Sequence, residues 1–412
     1  METNLAPFIR DTPEGREADS VLRACVHCGF CLATCPTYQL LGDELDGPRG
    51  RIYLMKQVLE GATPTAKTQL HLDRCLTCRA CETTCPSGVQ YGKLVDIGRK
   101  IVDERVGREP ADAARRYALR KSLLSKSVFG AALAVGRLAK GFLPRELGDR
   151  IPAPAPAGAW PSPHHTRKML ITRGCVQPSL APNIDAAMAR VLDRVGISSL
   201  QIEAGGCCGA LPYHLTEHDE ARAIVRRNID AWWPHVERGG AEAIAVTASG
   251  CGVMVKDYGH VMAQDRVYAE KAAKIGELAR DPVEIITAMW SEIAPKIARR
   301  DAGMKLAFHS PCTLQHGMKI RGKVEPVLQA LGFELTPVAD AHLCCGSAGT
   351  YSVLQSELAG ALKVNKLQAL EAGRPAQIAT ANIGCLTHLA SGTRTPVRHW
   401  IEILDERMTG NA

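Results

Sequence analysis

Two cysteine runs near the N-terminus have a spacing suited to iron–sulfur chemistry. Each run reads Cys-x2-Cys-x2-Cys-x3-Cys-Pro, and the cysteines are Cys25, Cys28, Cys31 and Cys35 in the first and Cys75, Cys78, Cys81 and Cys85 in the second. A tight loop with thiolates at this spacing can present three sulfur atoms to one [4Fe–4S] cube. The proline that follows lacks a backbone N–H group and ends the loop. The sequence therefore predicts two [4Fe–4S] clusters.

The fourth cysteine of each run is expected to serve the other cluster, as it does in bacterial ferredoxin-type runs. On this rule the predicted ligands of the first cluster are Cys25, Cys28, Cys31 and Cys85, and those of the second are Cys75, Cys78, Cys81 and Cys35. A zinc ribbon needs only two thiols per knuckle, and a disulfide framework is typical of short secreted chains. Both alternatives fit this pattern less well.

The remaining eight cysteines form a second kind of motif that occurs twice. The first copy has Cys175, Cys207, Cys208 and Cys251, and the second has Cys312, Cys344, Cys345 and Cys385. In each copy short apolar stretches end just before a cysteine, and the ends of parallel strands meet at the sheet edge where ligands bind. We therefore expect four thiols to converge in each copy as a metal or redox site. Its content stays open between a further iron–sulfur cluster, zinc and a reactive thiol site.

The elements that must position these cysteines follow from the apolar spacing. Around the two runs, helical periodicity predicts helices near residues 18–24, 51–60 and 93–106, without a clear strand pattern. From Lys168 onward, short apolar strands alternate with helical segments, which indicates parallel α/β layers. The predicted fold class is thus α+β multidomain, with a mainly helical two-cluster ferredoxin-like domain followed by two α/β Cys-Cys-Gly modules.

Composition changes along the chain predict four segments. They are the ferredoxin-like domain over residues 1–109, a basic helical segment with a Pro/Ala linker over 110–163, and the two modules over 164–300 and 301–412. The basic segment is rich in Arg, Lys, Ala and Leu at helical spacing. We expect an ordinary packed helical pair with a solvated face, with contact to an anionic membrane surface as the alternative.

Four residues near the cluster runs have roles that the sequence leaves open. Arg49 and Arg51 either neutralise cluster charge or are solvated residues at a helix entry. His27 and Arg79 lie inside the two loops, where they either hydrogen-bond to sulfur or face the surface.

The composition excludes several classes of protein. The chain has 412 residues, of which 46% are hydrophobic and 23% charged, as in globular proteins of two or three domains. All 16 cysteines fall in the motifs above, which indicates a reducing compartment and predicts a cytoplasmic location.

The net charge of +7 comes without a basic block or a nucleic-acid-binding motif, so nucleic acid is not a predicted partner. We expect no transmembrane helix, because no apolar stretch reaches roughly 18 residues.

The duplicated Cys-Cys-Gly module resembles the cysteine-rich domain of heterodisulfide reductase subunits. The whole arrangement resembles the iron–sulfur subunits of glycolate, lactate and anaerobic glycerol-3-phosphate dehydrogenases, and most closely those of bacterial glycolate oxidase (glycolate dehydrogenase). The segments that carry this resemblance are Arg23–Cys31, Leu41–Tyr53, Asn228–Pro234, Thr247–Gly252, Leu343–Tyr351, Thr380–Cys385 and Val397–Glu402. One position departs from heterodisulfide reductase modules, which have a further cysteine three residues after the last one. Met254 and His388 stand there in this chain, so the non-cubane cluster of those enzymes is not implied.

The resemblance implies an electron-transfer subunit of a flavoprotein 2-hydroxy-acid dehydrogenase complex. No dinucleotide fingerprint or P-loop occurs here, so FAD is expected on a partner subunit, where glycolate would become glyoxylate. Electrons would then pass through the [4Fe–4S] clusters to quinone or the membrane chain, from the cytoplasmic face of the inner membrane. No catalytic residue is predicted in this chain. The alternatives are a lactate or glycerol-3-phosphate dehydrogenase subunit, or a thiol–disulfide reductase acting at the Cys-Cys-Gly modules.

Overall fold

The computed structural model describes residues 1–142, 151–237, 239–298 and 303–408. Residues 143–150 of the predicted basic segment and linker lie outside the described residues. The predicted boundary between 300 and 301 and the C-terminal residues 409–412 also lie outside them.

The N-terminal region is helical, as predicted, and residues 1–142 contain no strand. Its helices are α1 (Pro7–Arg10), α2 (Pro13–Ala24), α3 (Pro36–Leu41), α4 (Pro48–Leu59), α5 (Ala66–Asp73), α6 (Ala80–Thr84) and α7 (Tyr91–Val106). Proline begins the first four of these helices, where its missing N–H group costs nothing because no intrahelical acceptor exists there. Helices α2, α4 and α7 enclose a buried apolar core that includes Leu22, Met55 and Leu94.

The basic segment forms two helices, α8 (Pro110–Leu124) and α9 (Lys126–Ala139), followed by a 3₁₀ turn over Lys140–Phe142. This pair differs from the packed pair that we expected, because α9 buries none of its side chains. Leu138 and Phe142 are instead 83% and 92% exposed. Within the described residues, no single helix is long and apolar enough to cross a membrane. The α8–α9 pair together is long and apolar enough for a membrane span, but the two helices meet at an angle of 99°. The Pro/Ala linker has no regular structure over 152–165.

Each Cys-Cys-Gly module contains a four-stranded parallel sheet. The first sheet has the order β2-β1-β3-β4, with β1 (Arg167–Ile171), β2 (Ile197–Leu200), β3 (Ile244–Ala245) and β4 (Ala279–Arg280). The second has the order β6-β5-β7-β8, with β5 (Lys305–His309), β6 (Glu334–Leu335), β7 (Gln377–Thr380) and β8 (Val397–His399). All neighbouring strands run parallel. The strand–helix alternation and the duplication in the sequence are thus confirmed in the fold.

Helices cover both sheets. In the first module they are α10 (Gln177–Leu180), α11 (Asn183–Asp193), α12 (Ala210–His214), α13 (His218–Glu237), α14 (Ser249–Lys256), α15 (Tyr258–Val261), α16 (Ala269–Leu278), α17 (Pro282–Ala288) and α18 (Trp290–Ile293). In the second they are a π-helical turn (Thr313–Gly317), α19 (Val324–Ala330), α20 (Tyr351–Leu354), α21 (Ser356–Glu371), α22 (Ile383–Ala390) and α23 (Trp400–Arg407).

The two modules share one apolar core. Side chains of both modules, among them Met188 and Phe308, belong to the same buried cluster. Polar contacts reinforce this packing, since Arg190 of α11 pairs with Asp405 of α23 at 2.6 Å. The backbone N–H of Ser249 also donates to the carbonyl of Ala381. The modules are therefore joined by a shared apolar core and by polar contacts beside it.

Candidate metal centres

The two cluster loops have the same local backbone. The residues two and four positions after the first cysteine have positive φ in both loops: 60° at His27 and 87° at Gly29, then 53° at Thr77 and 59° at Arg79. Three of these four residues have a side chain, and left-handed backbone costs such residues roughly 1–2 kcal/mol each. Strain of this kind persists where the surrounding structure and the function require it. Here it curls each loop so that its cysteines line a single cleft.

The first cleft is lined by the four predicted ligands Cys25, Cys28, Cys31 and Cys85, and also by Cys81, which lines the second cleft as well. Cys28 is exposed, whereas Cys25 is buried. Burial, reinforced by the neighbouring thiol of Cys25, raises the pKa of Cys31 to about 11. Four free thiols around one cleft are a donor set that fits a [4Fe–4S] cube, since thiolates are its usual ligands.

The second cleft contains the thiols of Cys35, Cys75, Cys78 and Cys81. Cys35 therefore lies with the second run, and Cys85 lies with the first. This is the crossed grouping that the ferredoxin-type rule predicts, with Cys35 immediately before α3 and Cys85 immediately after α6. All 16 cysteines are free thiols, so the donors are not consumed by disulfides.

The second centre lies beside buried guanidinium groups, whereas Arg49, which lines the first cleft, is half-exposed. The Tyr91 hydroxyl and the Thr77 N–H group donate to Cys75 Sγ at 3.6 and 3.4 Å. Burial raises the pKa of the Cys75 thiol, but the nearby guanidinium groups of Arg51 and Arg99 outweigh burial, so that its pKa lies below the ordinary value. These buried cations would compensate the negative charge of a bound cluster.

The roles that the sequence left open now divide between the two loops. Arg51 is 1% exposed, donates to Thr37 Oγ1 at 3.1 Å and pairs with Asp46 at 3.3 Å, so it is a buried cation beside the second centre. Arg49 instead pairs with Glu44 at 2.6 Å in a half-exposed position.

Within the described residues, neither His27 nor Arg79 donates a hydrogen bond to a cysteine sulfur. Arg79 pairs with Asp257 of the first module at 3.1 Å, which ties the second loop to that module. The ring of His27 lies 6.2 Å from the ring of Tyr53. Arg99 and Tyr91 reach Cys75 from α7, and neither could be predicted from the sequence, because no local spacing links that helix to the loop.

The four thiols of each module converge, as the strand ends predicted. In the first module, hydrogen-bonding contacts connect Cys175 with Cys207, Cys207 with Cys208, and Cys208 with Cys251. In the second module the equivalent contacts connect its four cysteines in the same order, and the Sγ atoms of Cys312 and Cys344 are 3.8 Å apart.

The pKa values of these thiols bear on the chemistry of the modules. The contact with Cys207, together with burial, raises the pKa of Cys175 well above its ordinary value. At Cys207 the contact with Cys175 lowers the pKa, but Cys208 and burial outweigh it and raise the pKa to about 12. The contact with Cys344 and burial likewise raise the pKa of Cys312. In the metal-free modules these thiols are therefore expected to be protonated near neutral pH, and a bound metal would have to displace their protons.

The two positions that replace the further cysteine of heterodisulfide reductase modules do not join the thiols. Met254 is buried against the first module's core. The Nε2 atom of His388 lies 3.3 Å from the carbonyl oxygen of Ala359.

Comparison with known families matches both halves of the chain. Residues 21–89 match the 4Fe–4S dicluster domain, and residues 169–256 and 306–390 match the cysteine-rich domain. The matched ranges contain all sixteen cysteines discussed above.

Three curated relatives illustrate the range of similarity. The chain is 56% identical to the glycolate oxidase iron–sulfur subunit of Escherichia coli (strain K12) over 410 residues, which cover 99% of each chain. It is 28% identical to the probable glycolate oxidase iron–sulfur subunit of Bacillus subtilis (strain 168), over 92% of this chain and 90% of the relative. Lactate utilization protein A of Anoxybacillus flavithermus is 25% identical and matches 57% of this chain and 97% of its own length.

Proposed function

Since the chain belongs to the family of glycolate oxidase iron–sulfur subunits, we propose that it is the electron-transfer subunit of a dehydrogenase complex that oxidises glycolate to glyoxylate. Oxidation of the 2-hydroxy acid takes place on FAD in a partner subunit, and quinone or the membrane chain is the final acceptor. The observation that carries this proposal is the pair of adjoining clefts, which together are lined by the eight free thiols of the two cysteine runs. In this sense the chain is an enzyme subunit without a catalytic residue of its own.

The proposed ligand sets are Cys25, Cys28, Cys31 and Cys85 for one [4Fe–4S] cluster and Cys75, Cys78, Cys81 and Cys35 for the other. Bound clusters supply one-electron transfer, which divides the two-electron oxidation of a flavin into single steps. Cys81 borders both clefts, so the chain holds its two centres close together. Arg51 and Arg99 stabilise negative charge at the second centre.

The first loop is the proposed contact with the flavin-containing partner. Cys28 is exposed there, and the apolar side chains of Val26 and Phe30 beside it are 68% and 63% exposed. Exposed apolar side chains around a functional group are typical of a protein-binding surface. The second loop is covered by the second module and is therefore the internal centre.

The α8–α9 pair is the proposed contact with the cytoplasmic face of the inner membrane. Its exposed apolar residues Val135, Leu138 and Phe142 alternate with the cations Arg137 and Lys140. Apolar side chains next to basic ones suit the headgroup region of an anionic bilayer. A peripheral position of this kind would bring the chain close to a quinone acceptor.

The test is substrate-dependent reduction of the complex. The complex is isolated anaerobically through a tag on this chain and mixed in turn with glycolate, D-lactate, L-lactate or glycerol 3-phosphate, while the visible iron–sulfur absorbance is followed. We expect glycolate to bleach it fastest. Bleaching by lactate or glycerol 3-phosphate alone would mean that the substrate is wrong. Bleaching by dithionite but by none of the four substrates would mean that the electron-transfer role is wrong.

A further inference from the structure

The thiol site of the second module includes a histidine. A ring nitrogen of His309 and the Sγ atoms of Cys345 and Cys385 all lie within 4.8 Å of one another, and all three residues are buried. His309 is the last residue of β5, Cys345 lies in the loop after β6, and Cys385 lies in α22. We propose that the second module binds a single zinc-class divalent ion through His309, Cys345 and Cys385.

The surroundings of His309 point to a missing ligand. The residue is 2% exposed, and its Nε2 atom has no hydrogen-bond partner among the described residues. A buried polar group without a partner costs roughly 1–3 kcal/mol, so it calls for an explanation. His218 and His399 also have a buried Nε2 atom without a partner, but within the described residues only His309 also has two thiols within ligand distance. The thiols therefore set His309 apart from an ordinary core histidine.

The spacing of the thiols favours one ion over a cube. With a Zn–S bond of about 2.3 Å, two sulfur ligands of a tetrahedral ion lie about 3.8 Å apart. The ligand atoms of His309, Cys345 and Cys385 lie within 4.8 Å of one another, close to this separation. A cube would separate its ligands further, because an Fe₄S₄ core lies between them. Cys344, whose thiol contacts that of Cys345, is suited to the fourth position.

The first module lacks the histidine. His309 precedes Cys312 by three residues, and the residue with the same relation to Cys175 is Thr172. The Thr172 hydroxyl lies 3.5 Å from the carbonyl oxygen of Ala245 in its own sheet, and a hydroxyl is not among the usual zinc ligands. The duplicated modules are therefore chemically different, and the zinc-class ion belongs to the second alone. Binding releases the protons of the ligating thiols, because the thiolate is the ligand form.

The test is a metal count on the anaerobically purified full-length chain. We expect about one zinc per chain beside the iron of the two ferredoxin-type clusters, which is about eight atoms. His309→Thr, which introduces the residue of the first module, should weaken zinc binding in competition with a chelator by more than about 100-fold, the upper end of the effect of an outer-shell partner. Its iron content should stay unchanged.

Two further variants separate ligation from folding. His309→Cys should keep the ion, and after Co²⁺ substitution it should intensify the thiolate-to-cobalt absorption, because a sulfur ligand replaces a nitrogen ligand. His399→Asn changes another buried histidine whose Nε2 atom lacks a partner, keeps a side chain that can cap α23, and should keep its zinc. The proposal is overturned if the wild-type chain holds no zinc, if His309→Thr binds zinc with unchanged affinity, or if the cobalt spectrum of His309→Cys equals that of the wild type.

Discussion

Cys78 of the second cluster loop packs against the buried cluster that contains Cys312 of the second module. Burial raises the pKa of the Cys78 thiol, and Cys312 is the foremost of the charged neighbours that raise it further. The hydroxyl of Tyr351 adds a hydrogen bond to the carbonyl oxygen of Arg74 at 3.1 Å. The second loop is thus anchored on a module far away in the sequence, whereas among the described residues the first loop has no such cover.

The first prediction concerns this anchor. Leu76 and Val26 hold the same position in the two loops, one residue after the first cysteine, but Leu76 is 7% exposed and Val26 is 68% exposed. Leu76→Ala should lower the free energy of unfolding by about 2–3 kcal/mol, because it leaves a cavity at the module contact. Val26→Ala should change it by less than about 0.5 kcal/mol. Anaerobic denaturant titration followed by circular dichroism measures both, and equal effects would contradict the anchoring.

A second prediction concerns the exposed ligand. Cys28→Ser should remove one cluster, so that the iron content falls by about four atoms per chain. In the complex, reduction of an artificial dye by substrate should stop, while reduction of the partner's flavin continues. Ser87→Ala lines the same cleft without offering a thiol and serves as the control. If Cys28→Ser also stops flavin reduction, the proposed division of labour between the subunits is wrong.

The cysteine clefts were predictable because their geometry is local. The spacing within each run determines which thiols share a loop. The recurrence of the Cys-Cys-Gly motif predicted two similar sheets. The crossed grouping of Cys35 and Cys85 could also be predicted from the motif, because in bacterial ferredoxins with this spacing the fourth cysteine binds the other cluster.

What the sequence could not supply depends on long-range packing. The contact of Cys78 with Cys312 and the approach of Arg99 to Cys75 join segments that no periodicity relates. Strands β4 and β6 are only two residues long, too short for a recognisable alternation. His309 had a weak signal, its position at the end of a predicted strand just before a cysteine, but the same offset in the first module holds a threonine.

A third prediction compares the two arginines that the sequence could not distinguish. Arg51→Met should cost about 3 kcal/mol of unfolding free energy, because it breaks a buried pair and removes a partner from Asp46. It should also lower the reduction potential of the second cluster, since a buried positive charge that favours the reduced form is lost. Arg49→Met removes a half-exposed pair with Glu44, and such pairs contribute about 0–1 kcal/mol. Redox titration followed by EPR measures the potentials, and an equal shift in both variants would argue against the special role of Arg51.

A fourth prediction concerns pH. Burial raises the pKa of Asp185 to about 7, although hydrogen bonds from Thr247, Gln177 and Gln201 oppose it, and burial raises the pKa of Asp281 to about 7 as well. At these two positions the native chain keeps protons that the unfolded chain releases, so their contribution to the free energy of unfolding should fall as the pH rises from about 4 to about 7. Each of the two carboxyl groups contributes about 4 kcal/mol to the fall. The buried histidines His218, His309, His316 and His399, whose pKa burial lowers to about 3–4, contribute in the opposite direction. Asp185→Asn should remove the contribution of one group, so the slope of unfolding free energy against pH should become more positive than that of the wild type in denaturant titrations across this range, and a slope equal to that of the wild type would contradict the assignment.

The last prediction tests the membrane contact of the α8–α9 pair. The full chain should sediment with vesicles that contain anionic lipid, and salt should weaken this binding, because Arg137 and Lys140 contribute through screened charge. Leu138→Glu combined with Phe142→Glu should lower the binding more than tenfold, since burying each such apolar side chain contributes about 1.5–3 kcal/mol. Val364→Glu places the same charge on an exposed apolar residue of α21 and should leave the binding unchanged. Equal losses in the two variants would mean that any added charge weakens binding, and unchanged binding of the double variant would mean that another surface meets the bilayer. A loss of vesicle binding in the double variant alone would place the membrane contact on the α8–α9 pair. The exposed first cluster loop would then remain free to meet the flavin-containing partner.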